Sequence, residues 1–300
     1  MPGAQRARWP DGRWHFQQGP IDIVIGAEGD AAALQAAHEA AWCRFATVLT
    51  ELVSELALLR QAVPVAASLN PLRGEIARPM WSTCARLVAD ADGFITPMAA
   101  VAGAVAQTLV AAYQRPGVAR AWVNNGGDIA LHLAPGTSAR VGLFADLSRW
   151  DGEALARASA GGLRTDAQFI VQAADPVRGV ATSGWRGRSL SRGIADSVTV
   201  LAATAAMADA AATVIANAVD VADPLIERRR ADEVRDDSDL GALLVTVAVP
   251  RLASAAVQQA LQRGVAMAHR LQARGLVHAV LLACQGSLAR LDAPPTVGQR

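Results

Sequence analysis

No lysine occurs in this 300-residue chain; all 28 of its basic residues are arginine. That absence removes Schiff-base chemistry, a Walker-type phosphate loop and a Ser–Lys hydrolase from consideration. An anion bound here must be held by guanidinium groups, backbone N–H groups or a metal. Cysteine is scarce as well. Cys43, Cys84 and Cys284 are odd in number, widely spaced and without a C-x-x-C, a pattern of free thiols in a reducing cytoplasm. The histidines His15, His38, His132, His269 and His278 show no H-x-x-H or H-x₃-H spacing, so a zinc site is not expected. Net charge is only +1, which argues against nucleic acid as a partner. The start, "MPGAQRARWPDGRW", lacks the apolar segment of a signal peptide. One uncharged run, "FITPMAAVAGAVAQTLVAAY", nears membrane-spanning length. It is mostly alanine and carries Pro97 and Gln107, so it reads as a buried helix of a protein without membrane association.

Helical and strand-like periods alternate along the chain, which makes the fold class α/β or α+β. Residues 12–26 predict a hairpin around a Gln-Gln-Gly-Pro turn. Leu34, Ala37, Ala41, Phe45, Val48 and Leu52 recur at helical spacing and predict a helix from Asp30 to about Ala62. Residues 63–79 hold prolines and read as irregular, and a second helix is expected over 80–90. Pro97 after Thr96 marks a helix start with Thr96 as N-cap, running to about Gln114. Ala99 and Gly103 on it would let another backbone pack closely, or offer an interface for a homo-oligomer. "RAWVNN", "DIALHLA", "ARVGLFA", "QFIVQA", "RGVATSG" and "DSVTVLA" read as successive strands of one sheet. An alanine-rich helix, residues 205–219, follows. The charged segment 227–239 reads as a solvated loop. Beyond it come a strand (Ala242–Val249), a helix (Leu252–Ala273) and a strand, "HAVLLAC". A single domain over 10–290, divisible into two lobes, with a disordered tail at 291–300, is the expected organisation.

Four polar clusters carry the chemistry. "NNGGDIALH" places Asn125, Gly126, Gly127 and Asp128 at a tight turn that a ligand's backbone contacts could exploit; local satisfaction of the turn is the alternative. "GVATSGWRGRSLSRG" concentrates Arg186, Arg188 and Arg192 among glycines and serines, the ingredients of an anion site; a solvated loop is the alternative. Asp209 and Thr213 stand at i and i+4, on one helix face, with Asp196 and Ser197 before the strand that leads in. Such a pair supplies either two oxygen ligands for Mg²⁺ or a small structural contact. "FITPMAAVAG" is by itself a helix start. Thr182-Ser183-Gly184 lacks the G-x-S-x-G of a serine hydrolase.

"NNGGDIAL", "GVATSG", "SVTVLA" and "ADAAAT", in that order, resemble motifs of the FAD:protein FMN transferase (ApbE) superfamily. The whole chain is more similar still to an uncharacterised bacterial and archaeal branch of it. The resemblance implies an ApbE-like, T-fold-related α/β fold with mixed sheets flanked by helices. It also implies Mg²⁺ and FAD or FMN as cofactors. Asp209 and Thr213 match the metal ligands, Asn125–Asp128 the turn beside the ligand, and Thr182, Ser183 and Gly184 the segment near the phosphates. The transferases carry H-x-x-D-P-x-x-G shortly after A-T-S-G; this chain has "WRGRSLSRGIADS" there. The expected partner is therefore an anionic small molecule or flavin nucleotide. Binding without turnover and FMN transfer stand as the alternatives.

Overall fold

Strand-forming residues from both ends of the chain meet in one nine-stranded sheet. The computed structural model describes residues 3–66, 69–143, 167–187 and 189–294. Its strands are β1 (Gln5–Arg8), β2 (Trp14–Gln18), β3 (Ile21–Gly29), β4 (Val118–Asn125), β5 (Asp128–Leu133), β6 (Ser138–Leu143), β7 (Ala167–Gln172), β8 (Gly179–Ser183), β9 (Ser197–Ala202), β10 (Glu227–Arg230), β11 (Leu244–Ala248), β12 (Ala279–Cys284) and β13 (Ser287–Leu291). The large sheet runs β1-β2-β3-β4-β5-β8-β9-β12-β13, and every pairing in it is antiparallel. The class is thus α+β, with helices gathered against a sheet.

Those helices are α1 (Ala31–Ser54), α2 (Leu56–Leu59), α3 (Ala77–Ala85), α4 (Val101–Val110), α5 (Ala205–Ala218), α6 (Ala231–Val234) and α7 (Ser254–Ala273). α1 packs on β2 and β3, α4 on β4 and β5, α5 on β8 and β9, and α7 on β12 and β13. Alternation along each strand sorts the side chains. Val123, Ala130, Ala181, Val198 and Val200 enter the core beneath the helices. Leu131, Val180 and Leu201 face the opposite way, where Val141 of β6 and Val171 of β7 cover them. β9 is buried along its whole length.

α5 lies at the centre of the helical layer. Thr204 caps it, accepting from Met207 N at 3.2 Å, and Gln107 Oε1 accepts from Ala206 N at 3.3 Å. Its alanines let neighbours approach to backbone contact. A Cβ on Gly179 would lie 2.3 Å from Ala205 N, and one on Gly193 2.1 Å from Ala216 O, so only glycine fits at either position.

The hairpin within 12–26 forms as β2 and β3, and the helical stripe of α1 is buried at Ala37, Ala41, Phe45, Val48 and Leu52. Other expectations are corrected. The long helix breaks at Glu55, whose carboxylate accepts from Arg73 N and Gly74 N at 2.8 Å each. The helix expected over 80–90 is α3, over Ala77–Ala85. "ARVGLFA" and "QFIVQA" do not join the large sheet; as β6 and β7 they pair with each other in a separate two-stranded sheet. Thr96 makes no side-chain cap; its hydroxyl donates to Asp239 Oδ2 instead, and Pro97–Ala100 is a 3₁₀ turn leading into α4. α4 stops at Val110, short of Gln114, and a second 3₁₀ turn follows. The charged segment is no free loop: Glu227–Arg230 pairs with β11, and α6 follows. No helix among the described residues is long and apolar enough to cross a membrane. The three cysteines are free, with Cys84 and Cys284 buried. Of the tail, residues 295–300 lie outside the described residues.

Candidate ligand and metal site

The register pairs Asn125 with Asp128, leaving Gly126 and Gly127 as a two-residue hairpin loop. Both have positive φ, 65° and 116°, as a primed hairpin turn requires. Asn124 Oδ1 accepts from Gly127 N at 2.8 Å. Asn125 and Asp128 fall on the same side of the sheet as Val123 and Ala130, toward the helices. Asn125, buried, donates from Nδ2 to Ala102 O at 3.1 Å. Asp128 Oδ1 accepts from Thr182 N at 3.2 Å. The turn therefore ties the start of α4 to β8.

Asp209 completes that knot. Its Oδ2 accepts from Gly103 N at 2.9 Å. α4 has no side-chain cap of its own, because Ala100 precedes it. A carboxylate from a neighbouring helix thus satisfies an orphan N–H in its first turn. The approach depends on Gly103, where a Cβ would lie 2.2 Å from Ala205 O and 2.9 Å from the Asp209 Cβ. Burial, then the like charge of Asp128, push the Asp209 carboxyl well above the usual range, with N–H donation from Gly103 and Ala102 opposing. Cys84 lies close by. Burial and then the charges of Asp209 and Asp239 raise its thiol, whose Sγ donates to Thr96 O at 3.2 Å. Thr213 stands one turn along the same face, half-buried, its hydroxyl without a hydrogen bond among the described residues.

These residues fit a hard cation sparsely. A carboxylate whose charge is disfavoured by burial and by a second carboxylate is the group a divalent ion would stabilise, and Thr213 offers a second oxygen. Among the described residues no group of three or more His, Cys, Asp or Glu could hold a metal. Mg²⁺ suits such a site better than Zn²⁺, because it keeps waters and shares phosphate oxygens with a ligand.

The A-T-S-G segment contributes backbone more than side chain. Thr182 Oγ1 lies 2.8 Å from Thr199 Oγ1, a cross-strand pair on the sheet face away from Asp209. The Thr182 side chain is therefore turned from the site, and its N–H alone reaches Asp128. Ser183 falls on the helix side. Gly184 packs where a Cβ would meet Asp196 O at 2.3 Å. The arginine loop divides. Arg186 stacks over Trp185 at 4.8 Å, with Nε 3.8 Å from Asp196 Oδ1. Arg188 lies outside the described residues. Arg192 turns to a separate cleft of about 590 Å³ at the C-terminal end of α5, which Asn217, Arg263 and Arg270 also line. Asp239 at Thr96, and Arg263 and Arg270 at the cleft, are not legible in the sequence because each lies far along the chain from the motif it joins.

The sequence model of a family described as AbpE bacteria matches residues 6–290. A UPF0280 protein of Methanosarcina acetivorans is 31% identical over 214 residues, which cover 71% of this chain and 75% of that relative. One from Methanospirillum hungatei is 37% identical over 130 residues, 43% of this chain. The chain spans about half the length of that relative and of the one from Methanosphaerula palustris, 47% of each. Among solved structures, the ApbE protein of Thermotoga maritima aligns with a TM-score of 0.49 at 12% identity, over 95% of this chain and 97% of that one. The flavin transferase ApbE from Vibrio cholerae gives 0.49 at 13% identity over 97% of each.

Proposed function

The chain belongs to the AbpE bacteria family, and on that premise we propose that it binds a flavin nucleotide, with Mg²⁺, where β4, β5 and β8 end beneath α4 and α5. The observation that carries the reading is the meeting of motifs distant in sequence. Thr182 N reaches Asp128, Asn125 reaches Ala102, and Gly103 N reaches Asp209. In this reading Asp209 and Thr213 hold the ion, which would screen a phosphate's charge. Asn125, Gly126, Gly127 and Asp128 form the wall beside the ligand, with Ser183 and Gly184 opposite. Arg186 supplies positive charge from the loop.

A second reading, binding without FMN transfer, is favoured by one feature of the sequence. The segment after A-T-S-G presents tryptophan, arginines and serines, and no histidine. Arginine does not serve as a base near neutral pH, so a nucleotide transfer would lack its proton acceptor there. Binding alone and binding followed by FMN transfer part in one experiment. The purified protein is incubated with FAD, with and without Mg²⁺; flavin fluorescence reports binding, and chromatography reports FMN and AMP. Mg²⁺-dependent binding with FAD intact supports the binding reading, and cleavage supports transfer. Absence of binding removes flavin from both. An unchanged Mg²⁺ dependence in Asp209→Asn removes the metal assignment.

A further inference from the structure

The cleft at the C-terminal end of α5 lies about 12 Å along the helix from Asp209, at the usual rise per residue. Its volume of about 590 Å³ suits a small molecule. Arg192, Arg228, Arg263 and Arg270 face Asp90, Asp92 and Asp220 there. What decides its character is which of these groups are already engaged. Arg228 is tightly paired with Asp220. Asp90 is buried and held by Arg274. Asp92 points its carboxylate largely into solvent, 85% exposed.

The donors on the other side are not consumed. Arg192 and Arg270 have their nearest carboxylate oxygens at 3.8 and 3.7 Å, beyond hydrogen-bond reach. Arg263 gives one N–H to Asp220 O at 3.1 Å and has others to give. Asn217 accepts with Oδ1 from Arg192 N at 2.9 Å and Ser191 Oγ at 3.2 Å, which fixes its amide. Its Nδ2 has no acceptor among the described residues. Val214 and Met267 supply an apolar wall. Asp92 leaves one carboxylate open beside Arg192, but four arginines line the cleft against three aspartates, and that excess of charged donors favours an anion.

We propose that this cleft binds a small molecule bearing a phosphate or carboxylate group, held by Arg192, Arg263, Arg270 and the Asn217 amide. The site is independent of the flavin reading and stands if that reading fails. The test is calorimetric titration of the full chain with inorganic pyrophosphate and, separately, with citrate, at fixed ionic strength and without FAD or Mg²⁺. Saturable binding at one site is expected, weakened about tenfold by Arg270→Gln and by Arg263→Gln, each a lost charge-assisted contact. Asp209→Asn should leave it unchanged. Preference for pyrophosphate identifies a phosphate ligand, and preference for citrate a carboxylate one. Arg270 is more than half exposed, so its substitution leaves the fold intact. No saturable binding of either anion at millimolar concentration overturns the proposal. So does binding that survives both arginine substitutions or is lost in Asp209→Asn.

Discussion

Asp209 accepts from the first turn of α4 while its charge is opposed by burial and by Asp128, and two substitutions separate those effects. Asparagine keeps an acceptor for Gly103 N and removes the charge, so Asp209→Asn should be at least as stable as the parent at neutral pH. Alanine leaves the N–H without a partner and should cost about 0.5–2 kcal/mol, as lost helix caps do. Urea midpoints of the two variants check the difference. Gly103→Ala forces a methyl to within 2.2 Å of Ala205 O; overpacking of this kind costs about 1–3 kcal/mol, read as a lower midpoint with unchanged slope. His38 gives a pH dependence. Its Nδ1 lies 2.7 Å from Tyr113 Oη. Burial first, then the nearby Arg8, lower its pKa below 6.5, with Glu39 acting the other way. The unfolded chain therefore takes up that proton first on acidification. The stability tied to neutral His38 is complete above about pH 6.5 and declines as pH falls from there toward the lower folded value. His38→Gln should flatten that decline when unfolding is followed between pH 7.5 and pH 5.5.

Among the elements, the charged hairpin of β10 and β11 is the one that composition misplaces. Glu227–Arg230 has no apolar residue, and only its partner strand β11 makes it regular. β11 in turn braces the arginine loop: Thr246 N donates to Ser191 O at 2.8 Å, and its hydroxyl donates to Arg192 O at 3.3 Å. Hydrogen exchange should find the amides of β11 protected well beyond free-peptide rates; exchange at the free rate would mean that the hairpin does not form. The same contrast explains what could be read beforehand. α1 and the first hairpin were legible because their periods are local and their apolar residues are large. β13 and β1 are not legible in the sequence, since a short edge strand needs only one neighbour and carries mixed residues. The motifs mark the candidate residues, but not the way their side chains face. Whether Thr182 faces Asp209 or Thr199 is decided by the register of β8 against β9, a long-range property.

For the whole molecule, the two proposed sites make a thermodynamic forecast. A ligand at a hundred times its dissociation constant stabilises the native state by about 2.7 kcal/mol. If the Asp209 site and the arginine cleft take different ligands without coupling, FAD with Mg²⁺ and the preferred anion should stabilise additively in thermal unfolding. A sum well short of that would show one ligand excluding the other. The sheet order that sets these sites apart was only partly foreseeable. Neighbours from β1 to β5 follow the chain, whereas β12 arrives beside β9 from far along it.

Gly103, Gly179 and Gly193 rest on the backbone of α5 through contacts that no side chain could share. Ligand-facing groups can be exchanged one at a time, but a side chain at any of these glycines would meet that backbone and force the seam to be rebuilt. Chemistry is then free to drift while its emblem stays. A string such as "ADAAAT" in a new genome testifies to ancestry before it testifies to any reaction.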